Sequence, residues 1–202
     1  MKTSWLVGGL VACGLIAGAA SAEPQVGQPA PDFTSVDVDG APQALSAYRG
    51  RYVVLEWFNP ECPFVKKHYG SGNMQQLQQE LTKTPGVAWL SFNSSAPGKQ
   101  GHLSPEQAKA WKAQQGASMT AMLLDPDGAI GRLYGAKTTP HMFIIDPEGV
   151  LVYAGAIDDT PSADQADVKT ATNYVRQALG EAVAGKPISA SKTPSYGCSV
   201  KY

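Results

Sequence analysis

The sequence predicts an α/β fold, a three-layer sandwich around a central mixed sheet with an N-terminal β-hairpin ahead of it. Three observations carry this. Apolar, β-rich runs at residues 52–58, 87–92 and 121–124 alternate with segments of helical character, and strands separated by helices pair in parallel. Residues 142–145 and 150–156 flank Asp146-Pro147-Glu148-Gly149, a strand–turn–strand pattern that adds antiparallel edge strands. Near the start, residues 34–38 alternate polar and apolar before the turn signal Asp39-Gly40, and residues 41–45 supply the return strand.

Each remaining element has a local reason. Residues 46–50 end at Gly50 and read as a short helical turn. The strand over 52–58 is apolar except for Glu56. Residues 64–82 are helical by pattern, and Gly70 and Gly72 predict either a kink or a second helix. Residues 93–101 are a Ser/Pro/Gly loop. Ser104-Pro105-Glu106-Gln107 combines an N-cap serine, proline at the first helical position and glutamine at the third, so a helix starts there and stops at Gly116. Residues 126–134 make a helix closed by Gly135. Ser162-Ala163-Asp164-Gln165 predicts a second capping box and one helix over about 163–184. Residues 185–202 carry Pro187 and Pro194 without periodicity and form an extended arm ending in Gly197-Cys198-Ser199.

Length and charge exclude whole classes of function. A chain of 202 residues makes one domain with a proper core. Its 16 basic and 17 acidic side chains form no basic stripe, so nucleic acid is not an expected partner. The first 22 residues read as a secretory leader: Lys2, an apolar Gly/Ala-rich stretch, then Ala20-Ser21-Ala22 before Glu23. Periplasmic or secreted location is expected, with no membrane span left after cleavage. Two alternatives are a retained anchor, for which the apolar stretch is short, and a lipid on Cys13 in Leu10-Val11-Ala12-Cys13. Cleavage after Ala22 removes Cys13 and leaves Cys62 and Cys198, an even pair that reads as a disulfide, structural or redox-active. The chain thus divides into a leader (1–22), a domain (23–184) and an arm (185–202).

Cys62 follows the first central strand and precedes Pro63 at a predicted helix start. A thiol there meets unpaired N–H groups and the positive end of the helix dipole, which favour the nucleophilic thiolate. Lys66, Lys67 and His68 add positive charge nearby. The bland alternative is an inert buried cysteine.

Several motifs resemble one known family. Cys62-Pro63-Phe64-Val65-Lys66, Thr139-Pro140-His141-Met142-Phe143 and Gly197-Cys198-Ser199-Val200-Lys201-Tyr202, with Ala30-Pro31-Asp32-Phe33 ahead of the hairpin, resemble peroxiredoxin-like or redoxin-domain proteins. These belong to the alkyl hydroperoxide reductase/thiol-specific antioxidant superfamily, on a thioredoxin-like fold. The resemblance spans about residues 26–202 and makes 23–184 a redoxin domain. It implies thiol–disulfide oxidoreductase or antioxidant chemistry, with Cys62 as nucleophile and Cys198 as resolving thiol. It also implies substrate contacts at Pro63, Thr139, Pro140 and His141, and a buried acid at Glu56 that moves a proton to or from sulfur. Thr139-Pro140 matches a loop that is cis in the family. No organic cofactor or resident metal is implied. Expected partners are a dithiol or disulfide protein, or a small thiol or peroxide.

Three positions depart from the pattern. Val65 stands where thioredoxins have a second cysteine. Asn59 and Leu55 stand where peroxiredoxins have Thr or Ser, and Pro. Without the hydroxyl that orients a peroxide, thiol exchange is expected ahead of peroxidase activity. Two alternatives stay open: a soft-metal chaperone using Cys62, Cys198 and His141, with His68 and His102 in reserve, and a permanent Cys62–Cys198 staple, which constrains the unfolded chain by about 4–5 kcal/mol. His141 also reads as a strand-start residue without a role, and Asp158-Asp159 as a solvated turn.

Overall fold

The computed structural model describes residues 23–202. The leader read over residues 1–22, with Cys13, lies outside the described residues. Among the described residues no helix is long and apolar enough to cross a membrane.

A hairpin of β1 (Thr34–Val36) and β2 (Pro42–Ala44) leads through a 3-10 turn, Leu45–Tyr48, into the central sheet. That sheet has five strands: β3 (Tyr52–Trp57), β4 (Val87–Asn93), β5 (Ala121–Leu124), β7 (His141–Ile145) and β8 (Leu151–Gly155). Their order is β5-β4-β3-β7-β8. β3 pairs in parallel with β4, and β4 with β5, whereas β7 is antiparallel to both β3 and β8. The predicted closing hairpin therefore inserts one strand beside the centre and leaves the other at the edge.

Alternation along β3 builds two cores. Val53, Leu55 and Trp57 face a layer containing Phe33, Tyr48, Ile130 and Tyr134. Val54 and Phe58 face the layer of α1 (Pro63–Gly70), α2 (Asn73–Thr82) and α5 (Tyr174–Val183), with Val65, Leu77 and Leu179 among the buried contacts. Glu56 shares this second face and is buried.

The Gly70/Gly72 ambiguity resolves as two helices. Gly72 takes φ +77° as the N-cap of α2, a conformation only glycine adopts cheaply. The helix α3 (Pro105–Gln115) has the predicted capping box, with Gln107 N donating to Ser104 Oγ (3.2 Å) and Ser104 N to Gln107 Oε1 (2.8 Å).

Two helix predictions need correction. The helix placed over 126–134 is only α4 (Ala129–Leu133), because Asp125 to Gly128 close a turn first and the Asp125 carboxylate accepts from Ile130 N and Gly131 N. The single helix placed over 163–184 is a 3-10 turn, Gln165–Lys169, and then α5. Ser162 does not cap it. Asp164 accepts from Ala166 N, and Asn173 accepts from Arg176 N to start α5 anew. Short polar side chains that bond local N–H groups divide the segment.

Residues 185–202 are docked along their length. Ala154 N donates to Ser191 O and Thr193 N to Ala154 O, which lays the arm beside β8. Cys198–Ser199 (β9) then pairs antiparallel with Thr138–Thr139 (β6), in register Thr139↔Cys198. Beyond it, Ala96 N donates to Lys201 O and Tyr202 Oη to Ala136 O.

Candidate active site

The pairing of β3 with β7 sets Trp57 opposite His141. The loop that follows Trp57 and the residues that precede His141 therefore meet at one end of the sheet. The first brings Cys62 and the second Thr139-Pro140, whose peptide bond is cis. The arm brings Cys198 to the same place through β9.

The two sulfurs lie 2.7 Å apart. Cys62 is the N-cap of α1, with Pro63 at the first helical position and exposed. As a thiol it donates to the Thr139 carbonyl at 3.1 Å. The Cys62 side chain is 0% exposed, whereas Cys198 is half-buried. Asn59, in the loop before Cys62, uses its side chain to hold that loop. Its Oδ1 accepts from Glu61 N (2.8 Å) and its Nδ2 donates to Gln100 O (3.0 Å).

Burial pushes the Cys62 thiol up, but the Cys198 thiol beside it, then Thr139 and the backbone at Val65 and Cys198, favour the thiolate and bring it below the ordinary value. The buried Thr139 hydroxyl has no hydrogen-bond partner. Cys198 moves the opposite way. Burial and the Cys62 sulfur beside it push its thiol to about 11. The two shifts run apart, so Cys62 is the more readily ionised thiol of the pair.

The charges expected to lower Cys62 do not do so. Lys66 is exposed, Lys67 is buried against Asp158 at 3.2 Å, and burial drops His68 to about 4, so that it is neutral at pH 7. Asp158, read as part of a solvated turn, is buried; Asp159 is exposed.

Glu56 and His141 are not brought to the sulfurs. The Glu56 carboxylate accepts from Tyr69 Oη (2.9 Å), Trp89 Nε1 (2.9 Å), Ser91 Oγ (2.7 Å) and Gln78 Nε2 (3.3 Å). Burial raises its pKa despite these donors, and none of its hydrogen bonds reaches a thiol. His141 follows the alternation of β7 and packs with Phe143, centroids 4.5 Å apart, on the sheet face opposite Cys62. Its Nδ1 accepts from Lys137 N at 3.2 Å, and burial lowers it to about 4. Cys62, Cys198 and His141 therefore form no three-ligand set, and among the described residues no three His, Cys, Asp or Glu side chains converge.

Lys67 and Asp158, read from the sequence as a charge near Cys62 and a solvated turn, instead form a largely buried polar cluster with Tyr196, which the sequence reading passed over. The signal available was that His68 and Tyr69 fall three and four residues after Val65, on the buried face of α1. An aromatic residue in the otherwise polar stretch before Cys198 was a second signal.

Comparison with known proteins bears on the fold and the family. The chain is 24% identical over 147 residues to the thiol:disulfide interchange protein DsbE of Escherichia coli K12, covering 71% of this chain and 72% of the relative. It is 29% identical over 153 residues to peroxiredoxin-2 of Cricetulus griseus, covering 65% and 69%. An uncharacterized conserved protein from Geobacillus kaustophilus superposes with a TM-score of 0.76 and 26% identity, over 88% of this chain and 92% of that one. The fold is thioredoxin-like, and the AhpC/TSA family model matches residues 26–154, so the chain belongs to the AhpC/TSA family.

Proposed function

We propose that this protein is an exported thiol–disulfide oxidoreductase in which Cys62 is the nucleophile and Cys198 the resolving thiol. The observation that carries the reading is the 2.7 Å approach of the two sulfurs at the N-terminus of α1. Export rests on the leader-like residues 1–22. Residues 23–184 are the redoxin domain, and 185–202 the arm that delivers the second thiol.

The exchange balances as follows. The Cys62 thiolate attacks one sulfur of a substrate disulfide, forming a mixed disulfide and expelling a substrate thiolate, which takes a proton. Cys198 loses its proton and attacks the Cys62 sulfur, releasing the second substrate thiol and forming Cys62–Cys198. Two electrons have then passed to the substrate, and an external dithiol protein returns them. Pro63 and the Thr139-Pro140 loop border the reacting sulfur and are the substrate contacts in this reading. Glu56 and His141 take no part in proton transfer, since their hydrogen bonds lie elsewhere. Nothing about Asn59 supplies a peroxide-orienting hydroxyl, so disulfides are preferred substrates over peroxides.

The test is turnover of a model protein disulfide with a dithiol reductant. Cys62→Ser is expected to abolish turnover. Cys198→Ser is expected to accumulate a mixed disulfide on Cys62 that the wild-type protein does not retain. Full activity in Cys62→Ser contradicts the assignment.

A further inference from the structure

The buried cluster beside the thiols is not used in the exchange just described. Lys67 is 1% exposed, and its Nζ donates to Asp158 Oδ2 (3.2 Å) and Thr160 O (2.7 Å). Asn73 Nδ2 donates to His68 Nδ1 at 2.9 Å, which leaves the proton of the neutral ring on Nε2. That nitrogen donates to Tyr196 Oη at 3.2 Å, and Tyr196 in turn donates to Asp158 Oδ1. One directional chain therefore runs from α1 to the connection after β8 and is completed by a hydroxyl from the arm.

Tyr196 is the arm's contribution to this chain, and it stands two residues before Cys198. Its ring also packs on Phe64, with centroids 5.8 Å apart, and under Lys67 Nζ at 5.6 Å. Between it and Cys198, a Cβ on Gly197 would fall 2.1 Å from the Thr139 carbonyl oxygen, so the arm can press against Thr139 only with glycine there. The ladder that follows is just two residues long, too short to set the position of Cys198 unaided. A buried ion pair contributes little net stability compared with apolar packing. What a hydrogen-bonded cluster supplies instead is direction, and here the direction is that of the arm.

We infer that Tyr196 is a positioning residue for the resolving thiol: its hydroxyl, held between Asp158 and His68, fixes the arm in the register that sets Cys198 on Cys62. The inference rests on the reading of these two cysteines as an exchanging pair.

Tyr196→Phe tests it on the full chain, because the variant removes one oxygen and keeps the ring contacts. Wild-type and variant proteins are equilibrated in glutathione buffers, and the Cys62–Cys198 disulfide is quantified after acid quench. The effective concentration of Cys198 at Cys62 is expected to fall about tenfold, read as a rise of about 30 mV in reduction potential. A melt in the same buffers checks folding. A lower melting temperature with an unchanged potential means that the hydroxyl is merely structural and overturns the positioning role. If the wild-type protein forms no Cys62–Cys198 disulfide in any buffer, the exchange reading fails and this role falls with it. If the wild type forms it and Tyr196→Phe forms it at the same potential, the positioning role alone is overturned.

Discussion

At Cys62 two effects oppose each other: burial works against the thiolate, and hydrogen bonds to the sulfur outweigh it. Because the Cys198 thiol is the foremost of those donors, the two sulfurs should titrate as a pair. Alkylation of the reduced protein at Cys62 is expected to reach half its maximal rate at a lower pH than for an ordinary free thiol. Replacing Cys198 by Ser removes the thiol donor and should change that midpoint, whereas replacing Cys62 should bring Cys198 down from about 11. A pH profile of alkylation for the wild type and both variants, resolved by mass spectrometry, checks this. An unshifted Cys198 in Cys62→Ser would show that the pair is not coupled. Gly197 holds the arm against Thr139. With φ +128° and the Thr139 carbonyl in its side-chain space, Gly197→Ala should displace the arm at a cost of about 1–3 kcal/mol. The measurable result is a less stable Cys62–Cys198 disulfide in glutathione buffers.

At the scale of elements, β3 carries two different jobs in alternate positions. Its end places Cys62, and its middle places Glu56 under Tyr69, Gln78, Trp89 and Ser91. Glu56→Gln sets an amide against the Trp89 and Ser91 donors and should cost about 1–3 kcal/mol, with the Cys62 alkylation midpoint unmoved. The sign of the pH effect follows from the raised pKa. Its contribution to stability is fully present below the unfolded carboxylate pKa and is lost as pH rises through the higher folded value. The wild-type advantage over Glu56→Gln should therefore grow as pH falls through the carboxylate range, measured by denaturant melts at several pH values.

The same elements show what was legible in the sequence. The strands, the break between α1 and α2, the capping of α3 and the buried setting of Glu56 followed from local patterns. The meeting of Cys62 with the Thr139-Pro140 loop came from the family resemblance and not from any local pattern. The helix over 163–184 misled because Asn173 restarts it, a competition that propensity does not weigh. Lys67 was misread because its partner, Asp158, is 91 residues away, and no local signal marks a lysine that will be buried by a distant carboxylate.

Across the whole molecule, the sheet gathers Cys62 and the Thr139-Pro140 loop at one end, and the arm docks beside them. Cys62 is fully covered while Cys198 is half-buried, so in the proposed exchange a substrate is expected to reach Cys62 when the arm lifts. Removing residues 195–202 also removes Cys198, so alkylation is compared at a pH that ionises Cys62 in both proteins; there the rate should rise about tenfold, and an unchanged rate would show that the arm does not cover Cys62 in solution. The rest of the architecture serves this arrangement: two cores fix the sheet, the sheet fixes Cys62 and Thr139, and the cluster around Asp158 fixes the arm. Whether the pair exchanges electrons or is a permanent staple is decided by one quantity, the reduction potential of Cys62–Cys198 in the wild-type protein. An exchanging pair is expected to show a value above about −300 mV, within reach of dithiol proteins. A value well below that would mark a structural disulfide and contradict the exchange.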